Sequence, residues 1–382
     1  MNIAIIIYSM DIGGAERTAL MLANHLSKRG EKVHFFLLGK YGRCFECPYE
    51  KHMLSYDNNK DTKTAQIVEL FRAARSMKEF KKKLSIDVSI SFMEDSNYIN
   101  VFSSCGDKII LSVHTTLSAR SELNRILYNP YLISFVYNRA NAVIAVSNYT
   151  KKDLINNYGI NRRRCVTIPN APLNHSSTDN IQETLGDKVI IHVGRFDPVK
   201  QQDRIIRAFS YVHKRIPESK LVILGDGSLR PYLKYICKMM GVEDAVVMPG
   251  FCVDVVSYLR NSRLLVMASK AEGFPNVMVE AMSEGLPVVT TDSPGGCGEI
   301  VGKKKDAMDV QFCMYGVLTP YIAGNGSRRS VLDKEEIMLG QAMYRLLIDD
   351  NLYKMYSERS RIRAEYYSVS KVCNSWDKLI YR

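Results

Sequence analysis

Short apolar runs recur along the chain. Each is followed by a turn and then by a longer stretch in which apolar residues return every third or fourth position. The runs Asn2–Tyr8, Val33–Leu38, Asp87–Phe92, Lys108–Val113, Ala142–Val146 and Val166–Ile168 read as strands. After a break, Val189–Val193, Leu221–Leu224, Ala245–Met248, Leu264–Ser269 and Pro287–Thr291 read the same way. The intervening helical pattern is clear at Thr18–Arg29, with apolar positions Leu20, Leu22, Ala23 and Leu26 and Gly30 closing the helix. It returns at Thr64–Leu84, at Ser147–Tyr158 with Ser147 as cap, at 201–215, 229–240 and 253–261, and from Asn276 to about Glu284. The residues from 335 to 382 read as helices and include Trp376. Residues 40–60 read as loop, and 303–320 have no assignment. Strand–helix alternation of this kind predicts an α/β fold with doubly wound parallel sheets. Pro169–Gly186 is rich in Pro, Asn, Ser and Thr, lacks apolar periodicity and marks a domain boundary.

Composition adds limits. A chain of 382 residues fits two domains. Its 46% hydrophobic and 24% charged residues are ordinary for a globular protein. No apolar run reaches the roughly 18–20 residues of a transmembrane helix, and Ile3–Ile7 reads as a strand rather than a signal peptide. Nine scattered cysteines without an export signal point to a reducing, cytoplasmic setting. Cys44-Phe45-Glu46-Cys47 lacks the second ligand pair that a zinc site needs.

The net charge of +12 is uneven: residues 1–180 carry 24 basic and 16 acidic side chains, the remainder 28 and 24. A basic half suits nucleic acid or an anionic membrane. No nucleic-acid module is recognisable, so the membrane surface is the preferred partner. Lys78, Lys81, Lys82 and Lys83 form a basic stretch that reads as a solvated face or a lipid contact. Residues 123–139 interleave Tyr128, Tyr131, Phe135 and Tyr137 with Arg125 and Arg139, after Arg120; core packing and a membrane-facing helix both fit that pattern.

The most informative stretch is Glu272-Gly273-Phe274-Pro275-Asn276, with Glu280 one turn further on. It joins a strand to a helix at the edge where open α/β sheets bind ligands. Amides at a helix N-terminus suit a phosphate, and carboxylates accept hydrogen bonds from sugar hydroxyls. A diphosphate with a hydroxyl-rich group at each end, a nucleotide-sugar, fits the arrangement. Arg195 and Lys200 follow the strand ending at Val193 and are candidate phosphate clamps. In the first half, Gly13 and Gly14 follow the first strand without the dinucleotide GxGxxG spacing, which disfavours a nicotinamide cofactor. Glu94, Asp95 and His114 stand just past two further strand ends. A lone histidine is often structural, yet imidazole also suits proton or hydrogen-bond work on a hydroxyl.

Taken together, Gly13-Gly14-Ala15-Glu16-Arg17, Gly194-Arg195 with Lys200, the Glu272/Glu280 pair, and Pro294-Gly295-Gly296 with Glu299 resemble the glycosyltransferases of family 4. The first of these is similar to bacterial enzymes that extend lipid-linked oligosaccharides, capsules and O-antigens. The resemblance implies a GT-B fold, with two Rossmann-like domains facing a cleft. Residues 1–170 would form the acceptor-side domain, 171–186 the linker, 187–365 the nucleotide-sugar domain, and 366–382 a helix packing back on the first domain. It implies a retaining transferase that moves a hexose or N-acetylhexosamine, UDP-linked by family habit, to a sugar acceptor such as a lipid-linked oligosaccharide.

It also implies roles. Glu272 would hold donor-sugar hydroxyls and Glu280 the ribose. The backbone of the turn Gly273, Phe274, Pro275 and Asn276, with Arg195 and Lys200, would hold the diphosphate. Gly13 and Gly14 would approach the donor, His114 would contact the transferred sugar, and Gly250–Val253, including Cys252 and Val253, would read the base. Arg17, Glu94 and Asp95 would face the acceptor. No metal or other cofactor is expected, no nucleic acid partner is expected, and the enzyme would sit on the inner face of the cytoplasmic membrane. Cys297-Gly298 departs from the residues common in relatives. An epimerase or phosphorylase on the same fold, or a silent nucleotide-sugar scaffold, is the alternative.

Overall fold

The structure is a computed structural model. It describes residues 1–11, 13–39, 47–57, 62–120, 126–172, 186–324 and 330–382, apart from the side chains of residues 63, 120 and 126. The chain divides into two compact units, Met1–Leu173 with Val369–Arg382, and Asn174–Ser368.

The first unit contains strands β1 (Asn2–Ile7), β2 (Lys32–Leu37), β3 (Glu50–Met53), β4 (Val88–Phe92), β5 (Lys108–Val113), β6 (Ala142–Ala145) and β7 (Cys165–Thr167). They form one parallel sheet in the order β3-β2-β1-β4-β5-β6-β7. Alternate residues of β1 enter different cores: Ala4 and Ile6 join one cluster, Ile3, Ile5 and Ile7 the other. Both faces are therefore covered, and this explains the unbroken apolar run. One cover is the helix Val369–Ile380, whose Val372, Cys373, Trp376 and Ile380 complete the second cluster.

The second unit contains β8 (Val189–Val193), β9 (Lys220–Leu224), β10 (Val246–Gly250), β11 (Leu264–Met267), β12 (Val288–Thr291), β13 (Gln311–Phe312) and β14 (Val317–Thr319). Its order is β10-β9-β8-β11-β12-β14-β13, parallel except for the β13–β14 pair. Among the parallel strands of each sheet the order reverses between β1 and β4 and between β8 and β11. Open α/β sheets bind ligands at such switch points.

Several expectations need correction. Residues 50–53 are not loop: they pair with β2 as the edge strand, a segment too short and polar for a strand signature. Residues 303–320 hold β13 and β14, and Lys303 ties the segment down by bonding Asp292 at 2.7 Å and Asp306 at 2.8 Å. The helix Gly14–Lys28 starts at the glycine turn rather than at Thr18, and Val255–Arg260 is shorter than 253–261. Tyr137 is fully buried, whereas Tyr131 and Phe135 on the same helix, Pro130–Tyr137, are exposed. Arg125 lies outside the described residues, as do the side chain of Arg120 and the whole 40–46 stretch with Cys44.

Lys81 is the plainest correction. It belongs to the basic stretch of helix Lys63–Lys83 but is buried rather than solvated. Its Nζ lies 2.7 Å from Asp107 Oδ2 and 2.7 Å from Asn100 Oδ1. Ser89 Oγ also donates to Asp107. Burial alone would raise the Asp107 carboxyl, but the Lys81 ammonium and the donors from Lys81, Ser89 and the Cys105 N–H hold it below the usual carboxylate range. Asp107→Ala leaves a buried ammonium without its counter-charge. We expect the unfolding of the first unit in urea to lose about 3–5 kcal/mol. A loss of roughly half a kcal/mol, the surface range, would show that Lys81 reaches water instead.

Candidate active site

The site in the second unit is built at the switch point between β8 and β11. After β8 the chain runs Gly194-Arg195-Phe196-Asp197 and enters a short 3-10 turn, Pro198–Lys200, capped by Asp197. Gln201 then takes φ +48 and starts helix Gln202–His213. The Gln201 side-chain amide donates to the carbonyls of Ile322 and Gly324. Lys200 is thereby fixed beside the end of β11. Behind it, Arg204 and Arg207 anchor the helix by bonding the fully buried Glu336 at 2.6 and 2.7 Å.

From β11 the chain reaches Ser269 and Glu272. Lys200 Nζ lies 2.6 Å from Glu272 Oε1, and Ser269 Oγ donates to the same oxygen at 2.7 Å. The carboxylate is 12% exposed, so this ion pair is largely sheltered from solvent. The backbone of Glu272 is clamped by the neighbouring turn. Its N–H donates to Pro294 O at 2.9 Å, and Glu272 forms an isolated parallel bridge with Gly295. A Cβ at Gly295 would stand 1.5 Å from Glu272 O, and φ there is +124, so only glycine fits. Cys297, next in that turn, is fully buried, and burial chiefly, with the nearby Glu272 charge, pushes its thiol up to about 12. The residue that departs from the family pattern is thus an inert packing group.

Helix Asn276–Ser283 follows Glu272. Its N-cap is Pro275, which offers no side-chain acceptor to the first-turn amides. Phe274 is buried against Tyr367 at 5.1 Å between ring centroids, and Glu280 is buried on the helix. Arg195 is not brought to Glu272. Its guanidinium is 78% exposed and bonds Asp197 at 3.1 Å. At the end of β10, Cys252 Sγ donates to Asp254 O, and Val253 is exposed. Gly225 packs on the Gly194 turn so tightly that an added Cβ would lie 2.1 Å from Gly194 O.

In the first unit, Gly13 caps helix Gly14–Lys28 in extended backbone, and the Arg17 N–H donates to Gly13 O. The Thr18 hydroxyl donates to Asn170 Oδ1 at 3.1 Å, tying this turn to the end of the domain. Glu94 and Asp95 open helix Glu94–Phe102 after Met93, which is held at φ +72. Glu94 is buried and accepts from Thr115 and Tyr128 at 3.4 Å each. The ends of β4 and β5 therefore do bring Glu94 next to the His114–Thr115 turn. His114 Nε2 lies 2.9 Å from Ser112 Oγ, while its buried Nδ1 has no partner among the described residues. Burial pushes His114 down to about 3, so it is a neutral imidazole at pH 7 and serves hydrogen bonding rather than proton storage.

Three contributors were not singled out from sequence. Ser269 and Asn170 are polar residues at strand ends whose partners lie far off in the chain or around a turn. His192 lies inside β8, its Nδ1–H donating to Val266 O at 3.0 Å, and burial pushes it down to about 4. Only its polarity within an apolar strand gives a signal.

Two family models match in succession: "Glycosyltransferase Family 4" over residues 12–171 and "Glycosyl transferases group 1" over 177–313. The chain is a family 4 glycosyltransferase. This transferase is 29% identical over 379 residues to N-acetylgalactosamine-N,N'-diacetylbacillosaminyl-diphospho-undecaprenol 4-alpha-N-acetylgalactosaminyltransferase of Campylobacter jejuni, covering 97% of each chain. It is 24% identical to a second Campylobacter jejuni enzyme, the GalNAc-alpha-(1->4)-GalNAc-alpha-(1->3)-diNAcBac-PP-undecaprenol alpha-1,4-N-acetyl-D-galactosaminyltransferase, covering 100% of this chain and 98% of the relative. Among solved structures, Anabaena HepE in complex with UDP matches with TM-score 0.78 at 19% identity, covering 100% of both chains. That likeness shows the GT-B fold. No described helix of the transferase is long and apolar enough to cross a membrane.

The histidine environments give a test. His114 and His192 are protonated in the unfolded chain below about pH 6.5 but stay neutral in the folded one. Stability contributed by them is full above that pH and falls as pH drops from about 6.5 towards 4. Imidazole NMR resonances of both should not move between pH 5 and 8, roughly the range in which an unperturbed histidine changes charge. A midpoint near 6.5 for His114 would place it in open solvent.

Proposed function

We propose that the transferase moves an N-acetylhexosamine or hexose from a UDP-sugar to a sugar on a lipid-linked oligosaccharide, with retention of anomeric configuration. The observation that carries this reading is the Lys200–Glu272 pair at the β8/β11 switch point, beside a helix N-terminus without a side-chain cap. The full-length Campylobacter relatives, whose names specify N-acetylgalactosaminyl transfer to diphospho-undecaprenol-linked sugars, support the choice of donor and acceptor. UDP in HepE supports the nucleotide.

In this mechanism the Lys200 ammonium, helped by first-turn amides of helix Asn276–Ser283, stabilises the charge growing on the leaving diphosphate. Arg195 assists after exchanging Asp197 for phosphate. Glu272 accepts from sugar hydroxyls, Glu280 from the ribose, and neutral His114 from or to a hydroxyl of the transferred sugar. The acceptor oxygen bonds to the anomeric carbon on the face that the leaving group departs from. The carbon–phosphate-oxygen bond breaks, its electron pair stays on that oxygen, and the acceptor proton moves to the diphosphate. No metal takes part in this step. Gly13, Gly14, Cys252 and Val253 line the donor, and Arg17 and Asp95 the acceptor.

The direct test is a donor panel of UDP-N-acetylgalactosamine, UDP-N-acetylglucosamine, UDP-galactose, UDP-glucose and GDP-mannose, without added divalent metal. Nucleotide release would be followed with and without a diphospho-undecaprenol-linked sugar. We expect one UDP-sugar to be consumed. Lys200→Ala should slow turnover roughly 10²–10³-fold, the scale for losing one donor to a developing anion. Near-normal turnover would refute the clamp, and binding without consumption would favour the scaffold alternative.

We also assign the transferase to the inner face of the cytoplasmic membrane, in capsule, O-antigen or related glycan assembly. Exposed Val68, Phe71, Tyr131 and Phe135 in the basic first unit support that placement. The protein should sediment with anionic vesicles at low salt and be released at high salt. Salt-insensitive absence of binding would remove the assignment.

A further inference from the structure

We propose that His34, Glu50 and His52 form a binding site for one zinc-type divalent cation at the edge of the first sheet. The site owes nothing to the transfer reaction and lies on different elements from the residues discussed above. Strands β2 and β3 are parallel with His34 opposite Glu50 and Phe36 opposite His52. Glu50 and His52 are two apart, so they project on one side of β3. Their polar atoms converge with His34. His34 Nδ1 lies 3.1 Å from Glu50 Oε2 and 3.4 Å from His52 Nε2, and His52 Nε2 lies 3.5 Å from Glu50 Oε1.

Those separations, two of them to different oxygens of the one Glu50 carboxylate, fall close to the spacing of a metal's coordination shell. Ligand bonds of about 2.0–2.1 Å at tetrahedral angles place neighbouring ligand atoms about 3.3–3.4 Å apart. Protons satisfy the cluster less well. If both imidazole nitrogens carry hydrogen toward Glu50, two N–H groups face each other across 3.4 Å. If only one does, the other nitrogen's lone pair faces a carboxylate at 3.1–3.5 Å. A single cation between the two rings and the carboxylate satisfies both nitrogens and a Glu50 oxygen at once.

Two nitrogens and one carboxylate oxygen suit zinc, with water as the fourth ligand. His34 is buried, His52 mostly so, and Glu50 is 53% exposed, giving the ion an open side for entry. The gain is mechanical. β3 is four residues long, largely exposed, and sits at the sheet edge. The His52 ring already rests on Phe36 at 4.7 Å and near Phe80 at 5.1 Å between centroids. A metal would staple β3 to β2, with a ligand set drawn from both strands.

The experiment uses untagged full-length protein stripped with chelator. It is titrated with zinc chloride against a chromophoric chelator, then with cobalt chloride followed by visible absorption. We expect one equivalent of zinc per chain, the intense visible bands of four-coordinate cobalt, and a zinc-dependent rise in melting temperature. His52→Ala should abolish all three. Glu50→Gln, which keeps the side chain's shape, should weaken binding by at least about 10-fold, the lower bound for losing even an outer partner. If the wild-type protein takes up no equivalent, or either variant takes it up as tightly as wild type, the site does not exist and the cluster is an ion pair with hydrogen bonds.

Discussion

A parallel sheet covered on both faces leaves chemistry little room except at the ends of its strands. Both units obey that constraint. Ile3, Ile5 and Ile7 pack into one core and Ala4 and Ile6 into another, so β1 offers no side chain to a ligand. The residues of the candidate active site sit where strands stop: Gly13 after β1, Glu94 after β4, His114 after β5, Gly194 to Lys200 after β8, and Glu272 after β11. The reversal of strand order separates neighbouring crossover helices there and leaves space for a bound molecule. Position in the chain is scattered, while position in the fold is not.

Holding the Glu272 turn takes close backbone contact. Gly295 has no room for a Cβ against Glu272 O, and the Glu272 N–H is spent on Pro294. The Pro-Gly-Gly turn thus acts on the site through its backbone, although it carries no reactive group. The same logic holds at Gly225, pressed on Gly194. The buried Arg204–Arg207–Glu336 cluster does for Lys200 what the glycine turn does for Glu272: it fixes the helix that follows the residue. Breaking such a cluster by removing one partner is costly because the charges left behind stay buried.

Much of this was legible in the residues because the signals are local. Long apolar runs, the Pro275 turn and Gly285 beyond helix Asn276–Ser283 announce themselves over a few positions. What was not legible depends on partners distant in sequence. Lys81 looks like its basic neighbours until Asp107 closes on it from 26 residues away. Glu50-Lys51-His52-Met53 has no apolar alternation, because an edge strand need bury little, and only its pairing to β2 reveals the His34 contact. Arg195 and Lys200 look alike as cations five residues apart, yet one reaches Glu272 and the other turns to Asp197. The turn Pro198–Lys200 and the left-handed Gln201 decide which, and neither has a strong signature.

The two units use one topology for different kinds of recognition. At the second switch point a cation pairs with a carboxylate beside helix amides, an arrangement suited to anions. At the first, the described groups are a buried carboxylate, hydroxyls and an imidazole held neutral by burial, which suit hydroxyl partners. In the proposed function, the ion pair would let one site serve both ends of a charged sugar. Lys200 and Glu272 neutralise each other in the ligand-free protein, so neither is left buried and uncompensated. A diphosphate would give the ammonium a second anionic partner, and a sugar hydroxyl would give the carboxylate a further donor beside Ser269. Each half of the pair then keeps a partner throughout binding, and neither charge passes through an unpaired, desolvated state.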